Sequence, residues 1–263
     1  MKRTKLSEIP ENINNEIYQF IKDSDIYDSS CSPEAKVYFI NKKNGYYLKI
    51  SKSGTLKREA EMTDFFNAMG IGTKVINYIS DEKDYLLTES ITGEDCTHEI
   101  FLKDPERLAE VYGNILKELH KTDFSNCPIQ NKLSETLLNS EANYRKGIYD
   151  VSTHIPEKFR PESMEKAWIF VMENKNRLKA DTLIHGDYCL PNVMLKDWEF
   201  SGFIDLGNSG VSDRHFDIFW GAWTLNFNLK TDKYAEIFFN AYGKEKIDMS
   251  LLKTVAYIEA FNL

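Results

Sequence analysis

The 263-residue sequence predicts an α+β chain of two unequal lobes: a small antiparallel β-rich lobe over residues 1–93 and a mostly helical lobe over 94–263 that contains one short β-hairpin. Three observations carry this prediction. Before Gly93, apolar residues come in short strand-like runs separated by turn residues; after it, they recur at helical spacing over long segments; and between 183 and 207 three brief apolar runs, 183–184, 193–195 and 201–204, interrupt the helices. The length exceeds the usual single-domain mode, which suits two lobes with a ligand cleft between them.

Taken in order, residues 11–22 place Ile13, Ile17, Phe20 and Ile21 on one helical face. Runs 37–40 and 46–50 read as strands joined by the turn 41–45, which holds Asn44 and Gly45. Residues 55–69 read as an amphipathic helix, and 75–79 and 84–88 as a second strand pair. Helices are expected over 105–121, 133–149, 163–179, 216–226, 232–242 and 250–261. Runs 193–195 and 201–204 form a hairpin turning near 196–199, so that Asn192 and Asp205 fall at adjacent strand ends.

Charge and cysteine content exclude several functions. Lys and Arg number 33 against 41 acidic residues, a net charge of −8, and no basic patch offers itself to a nucleic-acid backbone. No run approaches a membrane span, and Met1–Arg3 begins no signal peptide. Cys31, Cys96, Cys127 and Cys189 lie far apart, which argues against a zinc knuckle or disulfide framework and for a reduced, cytoplasmic protein. With 42% apolar and 28% charged residues the composition is that of an ordinary globular protein.

The chemistry is concentrated in His185-Gly186-Asp187-Tyr188-Cys189-Leu190-Pro191-Asn192 and, further on, Asp205-Leu206-Gly207. An Asp, an Asn five positions later and a second Asp after an apolar run is how kinases hold an acceptor hydroxyl and Mg²⁺ around ATP. Asp187 takes the role of catalytic base, while Asn192 and Asp205 supply oxygen ligands, a set that suits Mg²⁺ rather than zinc. Lys49, in a strand, is the candidate for the α/β-phosphates, and strand alternation puts Tyr47 on the same face as an adenine platform. Glu59 or Glu61 on the next helix could pair with Lys49. The two point about 200° apart, and Glu59 lies three residues from both Leu56 and Met62 of the buried stripe, so Glu59 is chosen. A two-carboxylate glycosidase using Asp187 and Asp205 would leave Asn192 and Lys49 unexplained. A nucleotide-binding module without activity would have no need of Asp187.

These segments resemble the aminoglycoside 3′-phosphotransferases, the kanamycin and neomycin kinases. Also similar are Leu116-Lys117-Glu118-Leu119-His120 with Asp123 to Pro128, and Val211-Ser212-Asp213-Arg214-His215-Phe216-Asp217-Ile218. The likeness runs over nearly the whole chain. It implies a bilobal, protein-kinase-like fold, ATP (or GTP) and Mg²⁺ as cofactors, and an amino-sugar antibiotic as the small-molecule partner of a monomer or weak dimer. It further implies that Glu89 and Ile91 meet the base edge through backbone groups, that Ser32 approaches the terminal phosphates, and that Asp217 braces the loop through His185 or backbone N–H groups, with His185 structural. No Ala-Pro-Glu element follows Asp205, so a protein substrate is not implied. Acidic side chains should hold the acceptor's ammonium groups, each worth on the order of 4 kcal/mol at about 4 Å and an effective ε of about 20, before desolvation. Asp150, Glu157 and Glu259 are the candidates. The sequence departs from the family here: the acidic loop near 150–158 is thinned, Trp223-Thr224 replaces an Arg-Asp pair, and one of two terminal acids is missing. A narrower or different amino sugar, or another small alcohol such as a choline-like metabolite, is the alternative acceptor.

Overall fold

The structure, a computed structural model, describes residues 3–10, 13–31, 35–151 and 155–262. In chain order the first elements are β1 (Thr4–Lys5), α1 (Asn15–Ile21), β2 (Asp25–Asp28), β3 (Lys36–Asn41), β4 (Tyr46–Lys52), α2 (Lys57–Ala68), β5 (Val75–Ser80), β6 (Lys83–Glu89) and β7 (Glu94–Asp95). There follow α3 (Glu99–Leu102), α4 (Pro105–Leu119), α5 (Lys132–Arg145), α6 (Met164–Asn174), β8 (Thr182–Ile184), β9 (Val193–Lys196), β10 (Glu199–Phe203), β11 (Gly210–Ser212), α7 (His215–Leu229), α8 (Ala235–Tyr242) and α9 (Met249–Phe261). They make two units: the chain up to His98 together with Pro191–Gly207, and Glu99–Leu190 together with residues from Asn208 onward.

In the first unit six antiparallel strands are ordered β1-β2-β3-β4-β6-β5, with β4 between β3 and β6. Alternation sorts the side chains of β4 onto two faces. Tyr46 and Leu48 join Tyr38, Ile40, Tyr85 and Leu87 under Ile17 and Ile21 of α1. The other face carries Lys49, in register with Leu86, and Leu86 packs against Leu56 and Ala60 at the start of α2. Lys49 and α2 therefore share a face. The start of α2 has no side-chain cap of its own; buried Asp84 of β6 accepts from the N–H groups of Gly54 (2.9 Å) and Leu56 (2.7 Å) and ties the helix to the sheet.

The β9–β10 hairpin, expected within the helical lobe, packs with the first unit because β9 pairs with β7, Glu94 opposite Leu195 and Asp95 opposite Met194. Its turn is the two residues Asp197 and Trp198, both at positive φ (53° and 70°), as a tight hairpin of matching twist requires.

In the second unit α9 is buried along almost its whole length, packed by α5, α6 and α7, while α4 lies against α8. Two expected helices end early. α5 stops at Arg145, before Gly147 at φ 70°, and α6 stops at Asn174, giving way to a 3₁₀ turn over Lys175–Arg177. The short strands β8 and β11 pair antiparallel, with Ile184 opposite Gly210. The first helix begins at Asn15, later than expected, because the Asn14 side chain accepts from the Glu16 N–H and caps it there.

Candidate active site

The first unit brings Lys49, Glu59 and Asp205 together. The Lys49 ammonium lies 2.7 Å from Glu59 Oε2 and 2.9 Å from Asp205 Oδ1. Glu59 thus makes the pair expected of it, while Glu61 lies beside Lys57 on the helix surface. Burial favours losing the Lys49 proton, but the Asp205 and Glu59 carboxylates outweigh it and hold the ammonium above its usual range. Glu59 is pushed up by burial and by Asp205, with Lys49 pulling the other way. One cation between two carboxylates leaves a local excess of negative charge next to an exposed oxygen donor, since the Asp205 side chain is 51% exposed. Asp205 also sits at φ 58°, a left-handed conformation that non-glycine residues adopt at some cost and that is concentrated at functional sites.

The hairpin register places Asn192 next to this group. Val193 pairs with Phe203, and the Ile204 N–H donates to the Asn192 carbonyl at 3.1 Å, so Asn192 adjoins the residue before Asp205. An amide and a carboxylate at neighbouring strand ends form a sparse oxygen set of the kind Mg²⁺ accepts when phosphates and waters complete its shell. No group of three or more His, Cys, Asp or Glu side chains is poised for a metal among the described residues, which argues against an all-protein metal cage there.

In the second unit the loop after β8 is held from below by Asp217, a fully buried carboxylate in the first turn of α7. Its Oδ2 accepts from the His185 N–H (2.7 Å), its Oδ1 accepts from the Gly186 N–H (2.8 Å), and His120 Nε2 lies 3.1 Å from Oδ2. The expected brace is therefore made through backbone groups. The buried His185 ring turns the other way, its Nδ1 accepting from the Asp187 N–H at 3.3 Å, which makes its contact with the loop structural. Gly186 has φ 82°, and a Cβ there would come within 2.0 Å of the Asn208 carbonyl oxygen. Beyond Asp187 the chain is clasped by two stacked, fully buried rings: Tyr112 Oη donates to the Tyr188 carbonyl (2.7 Å) and Tyr188 Oη to the Tyr112 carbonyl (2.8 Å). The Asp187 side chain itself is only partly buried.

The other expected residues have mixed surroundings. Tyr47 lies on the Lys49 face, tilted against Phe39, and its hydroxyl accepts from Arg3. The Glu89 N–H donates to Lys74 and its carbonyl accepts from the Thr73 hydroxyl, while the Ile91 side chain packs over Gly202. Ser32 lies outside the described residues. Glu259 is buried in α9, where burial pushes its carboxyl up to about 7, reinforced by Asp187 and opposed by hydrogen bonds from Asn262 and Trp220 and by Lys132. Asp150 is tied to the end of the same helix, its N–H donating to the Ala260 carbonyl at 2.8 Å, whereas Glu157 is exposed on a 3₁₀ turn over Glu157–Phe159. The sequence assigns no role to His120, Asp84 or Tyr112, although His120 closes one of the segments that carry the resemblance. A histidine closing the helical run 116–120 was the one visible signal for the first. Long-range capping and the tyrosine clasp leave no local pattern.

With this geometry in place, a family model described as "Phosphotransferase enzyme family" matches residues 33–253. The chain belongs to the phosphotransferase enzyme family. A probable aminoglycoside 3′-phosphotransferase of Lactococcus lactis subsp. lactis is 45% identical over 98% of this chain and 97% of its own length. An aminoglycoside 3′-phosphotransferase of Niallia circulans is 29% identical over 86% and 87%. Among solved structures, a type VIII aminoglycoside-3′-phosphotransferase superposes with a TM-score of 0.68 at 22% identity, covering 88% of this chain and 90% of its own. A Streptomyces rimosus aminoglycoside phosphotransferase solved with ADP and streptomycin gives 0.70 at 19% identity, covering 87% and 90%. This phosphotransferase has the protein-kinase-like α+β fold of those enzymes and is a small-molecule kinase akin to the antibiotic-modifying ones. No helix among its described residues is long and apolar enough to cross a membrane.

Proposed function

We propose that this phosphotransferase moves the γ-phosphate of ATP to a hydroxyl, the 3′-hydroxyl, of an aminoglycoside and so confers resistance to it. The observation that carries the proposal is the Lys49 ammonium held at 2.7 Å by Glu59 and 2.9 Å by Asp205. That arrangement gives the α/β-phosphates a fixed cation, and Asn192 and Asp205 would hold Mg²⁺, which neutralises charge on the β- and γ-oxygens when bound. Asp187 accepts the acceptor's hydroxyl proton, and the bonds from Asp217, His185 and the tyrosine clasp keep its backbone still while it does so. Tyr47, Glu89, Ile91 and Ser32 serve the nucleotide, GTP being the alternative donor, and Asp150, Glu157 and Glu259 the acceptor's ammonium groups. Nucleotide binding falls to the β-rich lobe, residues 1–93, and acceptor binding to the helical one, 94–263. The four cysteines, none of them in a disulfide, support a reducing, cytoplasmic setting.

A different amino sugar is favoured by two features: Trp223-Thr224 stands where the resemblance implies an Arg-Asp pair, and the loop near 150–158 carries fewer acidic residues than the resemblance implies. Coupled ADP release over a panel of kanamycin, neomycin and simpler amino sugars tests both, with turnover of the first two expected. Silence across the panel, with nucleotide binding intact, would defeat the acceptor assignment.

A further inference from the structure

The sheet face that carries Lys49 is aromatic. Across three strands, Tyr27 of β2 lies opposite Phe39 of β3 and Phe39 opposite Tyr47 of β4, two residues along from the pair Val37 and Lys49. The rings meet in series, Tyr27 and Phe39 with centroids 6.1 Å apart and Phe39 and Tyr47 5.3 Å apart, both pairs tilted. Tyr38, Tyr46 and Leu48 of the opposite face are buried in the core, whereas these three rings keep part of their surface accessible.

A side chain from the edge of the sheet lies on this face. The Arg3 guanidinium carbon stands 3.7 Å from the centre of the Phe39 ring and 5.7 Å from that of Tyr47, and its Nη2 donates to the Tyr47 hydroxyl at 2.7 Å. The residues that follow it are anchored. Thr4 and Lys5 pair with Asp28 and Tyr27, the Leu6 N–H donates to the Ile26 carbonyl at 2.9 Å, and the Lys5 ammonium lies 2.9 Å from Asp25. With the backbone fixed at β1, the outermost strand, the exposed Arg3 side chain reaches inward past β2 to β3 and β4. A guanidinium at 3.7 Å fills the stacking distance, so no second flat group can lie on that face of Phe39 until Arg3 leaves it. A cation on an exposed ring is held weakly enough to be exchanged.

Resting on the nucleotide role proposed above for Tyr47, we propose that Arg3 is a built-in competitor for the purine: its guanidinium occupies the aromatic face on which the base stacks, and the base binds by displacing it. Adenine is flat, as the guanidinium is, and larger, so it gains more ring contact than the cation gives up. Arg3 thereby tunes nucleotide affinity, because the fraction of molecules with the guanidinium off the rings is the fraction competent to take the base.

Calorimetric titration of the full chain with adenosine, ATP and tripolyphosphate tests this. Arg3→Ala should bind adenosine roughly 3- to 10-fold more tightly than the wild type does, and Arg3→Lys, which keeps the charge but loses the flat fork, should fall between them. Tripolyphosphate has no base to stack and should bind Arg3→Ala no more tightly than wild type. Adenosine showing no gain in Arg3→Ala, with ATP still bound by both proteins, would overturn the proposal and leave the nucleotide assignment standing. A gain shared by tripolyphosphate would overturn it as well, since the effect would not then lie at the base. Failure of all three proteins to bind ATP would bring down the nucleotide assignment itself, and the role of Arg3 with it.

Discussion

At Lys49 a single ammonium serves two carboxylates, and each of the three side chains has a separable effect. Lys49→Ala removes the cation offered to phosphate and leaves Glu59 and Asp205 facing each other, so nucleotide affinity should fall by at least about tenfold in a fluorescent-nucleotide titration. Asp187→Asn keeps the shape but not the basicity. Turnover should drop by roughly 10²- to 10⁴-fold with nucleotide affinity nearly unchanged, and equal turnover would remove Asp187 from the mechanism. Glu259 makes a prediction about pH. Burial pushes its carboxyl up to about 7 in the fold from an ordinary value of 4.5, so the native state holds an extra proton between those values. Stability should therefore decline as pH rises from about 4.5 to 7, and Glu259→Gln should flatten that decline in urea unfolding curves taken across the window. A Glu259→Gln profile as steep as the wild type's would show the group to be solvated.

At the scale of elements, the loop before Asp187 depends on α7 for its shape. Asp217 accepts from the buried His185 N–H and the partly buried Gly186 N–H and faces His120, so Asp217→Ala removes a partner from all three. A loss of about 3–5 kcal/mol in chemical denaturation is expected, with damage to folding exceeding damage to nucleotide binding. Gly186→Ala meets a left-handed backbone and the Asn208 carbonyl together, and should cost about 2 kcal/mol or more by the same measurement. The tyrosine clasp and the Asp84 cap work similarly: each fixes one end of an element that carries a site residue without touching any reacting atom.

For the whole molecule the relevant quantity is charge. A net −8 draws a polycationic acceptor and repels a nucleotide, and exposed charges are screened over about 8–10 Å at physiological salt. Raising salt from about 20 to 200 mM should increase KM for an aminoglycoside while KM for ATP does not rise in parallel, as steady-state kinetics would show.

Much of this was legible in the chain because the relevant signals are local. Strand alternation put Lys49 and Tyr47 on one face, helical spacing chose Glu59 over Glu61, and hairpin turn chemistry set Asn192 beside Asp205; each follows from the geometry of a single element. Strands β1 and β2 were missed because runs this short take their stability from pairing rather than from pattern, and the hairpin's place beside β7 was decided by backbone hydrogen bonds to a strand of two residues. The sequence by itself determined which residue types are present and which of them share an element. Only the tertiary structure decided that Asp217 grips backbone N–H groups and faces His120, that Asp84 caps a helix 28 residues away from it at Leu56, and that Glu259 lies buried near Asp187. Those partners are remote in sequence, and a buried polar group takes whichever complementary atom the packed chain brings within hydrogen-bonding distance.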